Sequence, residues 1–297
     1  MKNTIALITL AIFFGCSPSP EKSVEITEAQ YDESLSTPHP DWVNKRVAFA
    51  EKRLQQSEGG QLVWKSIESH GGLKAWYNNG PLYFRFNYRP LGPNNKVRDT
   101  YQTVDTWSAV ARHQLAENTA IEYGWDGESA WKYPADAELA INPRFWSLSP
   151  YYFVGLPFVL SDEGVNLTKE ENLEYEGADH YIVRATFGDN VGDASDFYIL
   201  YINAETYRLA AIRYIVSFKG FFPDGGNTPE KLMTYEGAQT INGITFPERH
   251  RTFKWSDEGR GEHVTNIAVT DVAFKADTPK IYFDVPEGSY VMKNYTE

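Results

Sequence analysis

The sequence predicts a mainly β protein of the α+β class, built on a single curved antiparallel sheet with helices on its concave face. Three observations lead there. Aromatic residues make up 15% of the chain, with 8 Trp, 19 Tyr and 17 Phe, and large rigid side chains suit pleated, half-buried surfaces and cavity walls. Segment after segment from Leu82 to Phe274 alternates apolar and polar residues with the period of a strand. Asp126-Gly127, Glu176-Gly177 and Asn242-Gly243 separate such segments at hairpin spacing, which makes the neighbours antiparallel.

The chain opens on MKNTIALITLAIFFGC, a Lys2 n-region and an apolar core followed by Gly15 and Cys16, the one cysteine of 297 residues. This reads as a secretory signal, 1–15, of the bacterial lipoprotein type, with Cys16 as the lipidated first residue. A plain signal cut elsewhere, with an incidental cysteine, is the other reading. With Cys16 committed to an anchor, the exported domain has no disulfide and depends on packing. Residues 16–40, rich in Ser, Pro and Glu, read as the anchor and its tether, and 41–297 as one domain. The formal net charge of −12 and the lack of any Lys/Arg run exclude a nucleic-acid partner and argue against adhesion to anionic lipid through charge.

Asp41 is the expected N-cap of a first helix carrying Trp42, Val43, Val47, Phe49 and Leu54, with Gly59-Gly60 as its end. A second helix, 61–70, stops at Gly71-Gly72. Ten or eleven strands follow. Leu82, Phe84, Phe86 and Tyr88 share one face of the first, and segments 97–107, 109–115, 121–125, 129–133 and 178–187 continue the series. FYILYI, 197–202, is apolar on both faces and needs cover on each side of the sheet. Segments 207–218, 231–240, 245–255 and 263–274 complete it, with 280–285 as a last short edge.

One stretch interrupts the strands. NPRFWSLSPYYFVGLPFVLS, 142–161, is the longest apolar run after the signal, broken by Pro143, Pro150 and Pro157. A membrane span wants about 20 uninterrupted apolar residues, so this is a broken helical segment that lies on the sheet. Two readings stay open: core packing, or a lid over an apolar pocket.

Compact catalytic signatures are missing, among them G-x-S-x-G, H-E-x-x-H, a phosphate-binding Gly loop and C-x-x-C. In the expected final hairpin His250 faces about Asn266 and His263 about Phe253, so they form no metal pair. The acidic loop Asp189–Asp196 departs from the EF-hand spacing and reads as a solvated turn, and Glu170, Glu171, Glu174 and Glu176 read as an exposed strand face. No catalytic residue, cofactor or metal is expected.

Several strings together resemble the LolA/LolB-like superfamily of bacterial outer-membrane lipoprotein-sorting proteins: FFGC (13–16), HGG (70–72), YGWDGESAWKYP (123–134), FYILYINAETYRLAAIRY (197–214), INGITFPERH (241–250) and YFDVPEG (282–288). The resemblance implies an open half-barrel with helices as a lid over an apolar cavity for acyl chains. It also implies a lipid-anchored protein, on the periplasmic face of the outer membrane, and no enzymatic activity. Phe221-Phe222-Pro223 is the nearest match to the apolar insertion loop of the acceptor type. The expected ligand-binding residues are the inward aromatics Phe84, Phe86, Tyr88, Trp125 and Phe187 and the lid residues Phe145, Trp146, Tyr152 and Phe153. The expected partner is a hydrophobic ligand or lipoprotein acyl chain. A ligand-free scaffold or sensor that binds a protein, and more remotely an envelope hydrolase, are the alternatives.

Overall fold

The computed structural model describes residues 31–93, 95–188 and 196–292. The signal segment, Cys16, the first part of the tether and the acidic loop 189–195 lie outside the described residues.

Three helices come first: α1 (Pro40–Leu54), α2 (Glu58–Ser69) and α3 (Leu73–Asn78). The N-cap of α1 is His39, not Asp41: its Nδ1 accepts from the Asp41 amide at 3.2 Å, and Pro40 takes the first helical position, where it has no amide to waste. Gly59 and Gly60 do not end α1; they open α2, whose cap Ser57 accepts from the Gly60 amide. The reason is steric. A Cβ on Gly60 would lie 2.1 Å from the Leu54 carbonyl oxygen, and one on Gly59 would lie 2.9 Å from that of Leu167. Gly71 and Gly72, with φ of 120° and 85°, do stop α2, but α3 follows at once, and the sequence reading passed over it.

The sheet is two meanders joined in the middle. β1 (Leu82–Pro90), β2 (Arg98–Val104), β3 (Ala111–Leu115), β4 (Asn118–Trp125) and β5 (Ala130–Tyr133) run outward in one direction. The chain then crosses through α4 (Pro143–Trp146), α5 (Ser149–Gly155) and a 3-10 turn, Phe158–Ser161, to the opposite edge. From there β6 (Val165–Tyr175), β7 (Ala178–Phe187), β8 (Phe197–Asn203), β9 (Leu209–Tyr214) and β10 (Lys231–Thr234) return toward the centre. A two-stranded hairpin, β11 (Gln239–Ile241) with β12 (Ile244–Phe246), stands outside the main sheet. β13 (Arg249–Ser256) and β14 (Gly259–Phe274) close the second meander by pairing β14 with β1. A last short strand, β15 (Tyr290–Val291), adds to β5. Thirteen strands thus form one curved antiparallel sheet that does not close into a barrel.

The strands of the described residues exceed ten or eleven in part because two segments read as single strands divide and β15 lies beyond the last segment read. Residues 231–240 and 245–255 break at Gly237 (φ 71°) and Pro247, freeing the small hairpin. That hairpin turns at Asn242-Gly243, both in the left-handed region, and docks on the α2–α3 corner: the Thr245 amide donates to the His70 carbonyl at 2.8 Å. A Cβ on Gly71 would sit 2.2 Å from the Gly243 oxygen, so the HGG string serves this close approach. Residues 280–285 hold a 3-10 turn, Lys280–Phe283, rather than an edge strand, and lie between Pro279 and Pro286, which have no amide to give to a ladder. His263 faces Phe253 as expected, whereas His250 faces Ile267, one residue from the expected partner.

Leu82, Phe84 and Phe86 of β1 point into a core shared with all three N-terminal helices. Its centre is Trp76 of α3, stacked on Phe158 at 4.5 Å and 3° and flanked by Tyr151 at 6.1 Å. The doubly apolar strand β8 is covered on its other face by a second cluster, Ile182, Ile199, Tyr201, Ala211, Leu232 and Phe253. Among the described residues no further layer of elements roofs that cluster; arginines lie over its aromatic rim, Arg213 over Trp255 at 4.6 Å and Arg184 over Phe197 at 5.0 Å. Residues 35–37 also pack on the domain: Leu35 bridges Pro279, and Ser36 Oγ donates to the buried Asp105 carboxylate at 3.1 Å.

Gly60→Ala should destabilise the protein by about 1–3 kcal/mol, the usual cost of overpacking, despite alanine's higher helix propensity. Urea unfolding measures this; an increase in stability would mean that the α1–α2 corner yields freely.

Candidate ligand-binding site

The crossing segment is the one piece of chain that must traverse the concave face, because it links β5 with the far edge strand β6. Each of its prolines opens a short helical piece: Pro143 starts α4 behind the cap Asn142, Pro150 lies in the first turn of α5, and Pro157 precedes the 3-10 turn. Breaking a helix this often leaves carbonyls without helical partners. Long side chains from the domain satisfy them. His113 Nε2 of β3 donates to the Ser147 carbonyl at 2.8 Å, Tyr235 Oη to that of Phe153 at 2.9 Å, and Arg53 to that of Leu160 at 3.2 Å. Arg46 donates to the Ser161 carbonyl at 3.3 Å and pairs with Asp162 at 2.7 Å. The lid is thereby tied to sheet and helices along its length.

Two cavities flank α4. The smaller, about 280 Å³, lies beneath α4 and α5 and is lined by Trp125, Phe145, Leu148, Tyr152, Phe153, Phe187, Tyr198, Tyr214 and Phe218, with Arg144 and Asp196 as its charged groups. Arg144 lies over the Trp125 ring at 4.3 Å, and Asp196 accepts from the Ser217 amide and hydroxyl. The larger, about 810 Å³, is bounded by β1, β2 and the 138–141 segment, with Phe86, Arg98, Leu139, Ile141 and Trp146 in its wall. Phe145 and Trp146, adjacent on α4, face different cavities, so this one-turn helix is the partition between them.

The structure places the nine expected ligand-binding residues in three groups. Trp125, Phe145, Tyr152, Phe153 and Phe187 come together in the smaller cavity. Phe86 and Trp146 line the larger, and Tyr88 packs edge-on against Trp146 at 5.2 Å. Phe84, fully buried, belongs to the core alone. The sequence reading missed Tyr198, although the alternation of β8 puts it on the same face as Leu200 and Ile202. It also missed Phe218, which lies in irregular chain and carries no periodic signal. Phe221, at the apolar loop tip, is 46% exposed and packs on Phe145 at 4.9 Å beside the smaller cavity. Among the acidic residues of β6 and its turn, Glu170 pairs with Arg184 and Glu176 with Arg260. Among the described residues no group of three His, Cys, Asp or Glu side chains is placed to hold a metal ion, and no helix is long and apolar enough to cross a membrane.

The fold has a counterpart among solved structures. The chain is similar to a LolA superfamily protein from Nitrosomonas europaea at 15% identity and a TM-score of 0.52, covering 76% of this chain and 97% of that one. The chain has a LolA-type fold. An outer membrane lipoprotein-sorting protein domain from Vibrio parahaemolyticus aligns at 10% identity over 82% of this chain and 97% of that one, with a TM-score of 0.46. A DUF1329 family protein from Desulfovibrio piger aligns at 14% identity over 82% and 97%, with a TM-score of 0.48. No protein-family model matches the chain, and no curated protein does. In this LolA-type fold the sheet supplies the trough and the crossing segment supplies its cover.

The cover's bond from His113 is pH-sensitive. A carbonyl only accepts, so Nε2 carries the proton and Nδ1, which has no partner, does not. Burial lowers the His113 pKa to about 3. The folded state therefore keeps the ring neutral while the unfolded chain protonates near its ordinary value of 6.5. The stability this contributes is complete above pH 6.5 and is lost as pH falls toward 3, by about 1.4 kcal/mol per pH unit. Asp105, raised to about 7 by burial, acts in the opposite sense over part of that range. The contribution of His113 is isolated by difference: His113→Gln should make the fall in unfolding free energy between pH 6.5 and 4 shallower than in the native protein. Identical slopes would show that His113 is not buried as the neutral form.

Proposed function

We propose that the protein is an exported, lipid-anchored protein of the bacterial envelope, on the periplasmic face of the outer membrane, that takes up an acyl chain or another hydrophobic ligand inside the half-barrel. It acts by binding, in lipid or lipoprotein traffic, and not by catalysis. The observation that carries this reading is the aromatic cavity roofed by α4 and α5. A space of about 280 Å³ has room for roughly nine groups the size of a water molecule. A chain of that many methylenes, at about 0.8 kcal/mol each, gains roughly 7 kcal/mol on leaving water, which sets the affinity to look for at about 10 micromolar or a little tighter. The anchor rests on the signal-type sequence that ends at Cys16.

The chain carrying Cys16→Ala, purified without detergent, should hold a lipid mass in native mass spectrometry that extracts into organic solvent, or take up a fluorescent acyl probe. Leu148→Trp, which fills the smaller cavity, should weaken uptake at least about tenfold with little change in melting temperature. A clean ligand-free mass together with no probe uptake would overturn this reading in favour of a protein-binding scaffold. The anchor is tested separately: Cys16→Ala should release the protein from membranes, and retention there would argue against lipidation.

A further inference from the structure

We propose that the larger cavity receives the anionic head of the ligand, a carboxylate or phosphate, and that Arg98 holds it; this rests on the acyl-binding reading above. Arg98 opens β2, and its guanidinium carbon lies over the Trp146 ring at 4.8 Å and the Tyr88 ring at 5.3 Å, two rings that meet edge-on. It is half-buried, and its Nε is shielded from solvent with no hydrogen-bond partner. Neighbouring arginines are matched to acids. Arg85 forks onto Asp99 at 2.9 and 2.7 Å, and Arg112 onto Glu122 at 3.1 and 2.5 Å. Leaving a shielded guanidinium Nε–H without an acceptor costs free energy that a bound anion would recover, and a planar fork packed against two aromatic rings has less rotamer freedom to lose.

The remaining charges of the cavity fit this assignment. Lys96 adds a second cation, Asp99 is committed to Arg85, and Glu117 and Glu138 are exposed, where water screens them. Phe86, Leu139 and Trp146 give the same cavity an apolar wall for a chain attached to the head, and Trp146 carries that wall onto α4. Because Trp146 both stacks on Arg98 and belongs to the partition, head binding and the position of the lid are coupled through one side chain.

Isothermal titration of the full chain carrying Cys16→Ala decides the matter with three probes of equal chain length: a fatty acid, a lysophosphatidic acid and an uncharged monoglyceride. Both anions should bind at least about tenfold more tightly than the monoglyceride, as one charge-assisted contact provides. The advantage should shrink with added salt, and Arg98→Gln should abolish it, weakening both anions at least about tenfold more than the monoglyceride. Which anion binds better then separates a carboxylate head from a phosphate head. Equal affinity for all three probes, or an Arg98→Gln variant that weakens all three alike, overturns the head-group role and leaves acyl binding standing. No binding of any probe overturns both. Should Arg98→Gln fail to fold, the salt dependence of the unmodified site still decides, because a neutral contact would show none.

Discussion

Everything in this molecule follows from the need to carry the chain once across an open sheet. Two meanders that grow away from a common centre leave their free ends at opposite edges, and the connection between them runs through the apolar interior. Backbone polar groups there must find partners or cost roughly 1–3 kcal/mol each. A continuous helix would satisfy its own carbonyls, but it would also be a straight rod over a curved trough. Prolines let the segment bend at the expense of its internal bonds, and His113, Tyr235, Arg46 and Arg53 take over as donors. The cover is therefore shaped by its breaks and positioned by side chains from outside it.

The same segment sets the aromatic order of the core. Phe158, at its end, stacks on Trp76, which fixes α3 against the sheet. Tyr151 extends the stack, while Phe145 and Trp146, in edge-on contact at 5.7 Å, border separate spaces. Aromatic side chains are used in two ways here. Those with fully covered faces, such as Trp76, Phe84 and Phe158, hold the architecture; those with one face left open, such as Tyr152, Phe153 and Phe187, bound the smaller cavity.

Most of the sheet was legible in the sequence because strand alternation and Gly-containing turns are local signals. Glu176-Gly177 and Asn242-Gly243 adopt the left-handed backbone that such hairpins require. What was not legible depends on distant partners. Gly59-Gly60 looks like a helix end until Leu54 and Leu167 are seen to pass within contact of where a side chain would stand. The α3 helix, six residues long, has too few turns to show a period. The division of the site into two cavities turns on which way two adjacent side chains point, and Phe145 and Trp146 read alike in sequence. Arg98 carried no signal at all, since a guanidinium without an acid can be recognised only when its surroundings are known.

The docking of residues 35–37 also sets how the domain would hang from a lipidated Cys16. Chain from Cys16 to Glu33 spans at most about 60 Å when fully drawn out, and beyond it the polypeptide is fastened beside Asp105, just past the C-terminal end of β2. Arg98 stands at the other end of that strand, about 20 Å away at the ordinary rise per residue. A leash from a lipidated Cys16 would then reach the domain at the Asp105 end of β2, and the Arg98 end of the larger cavity would lie away from the point of suspension.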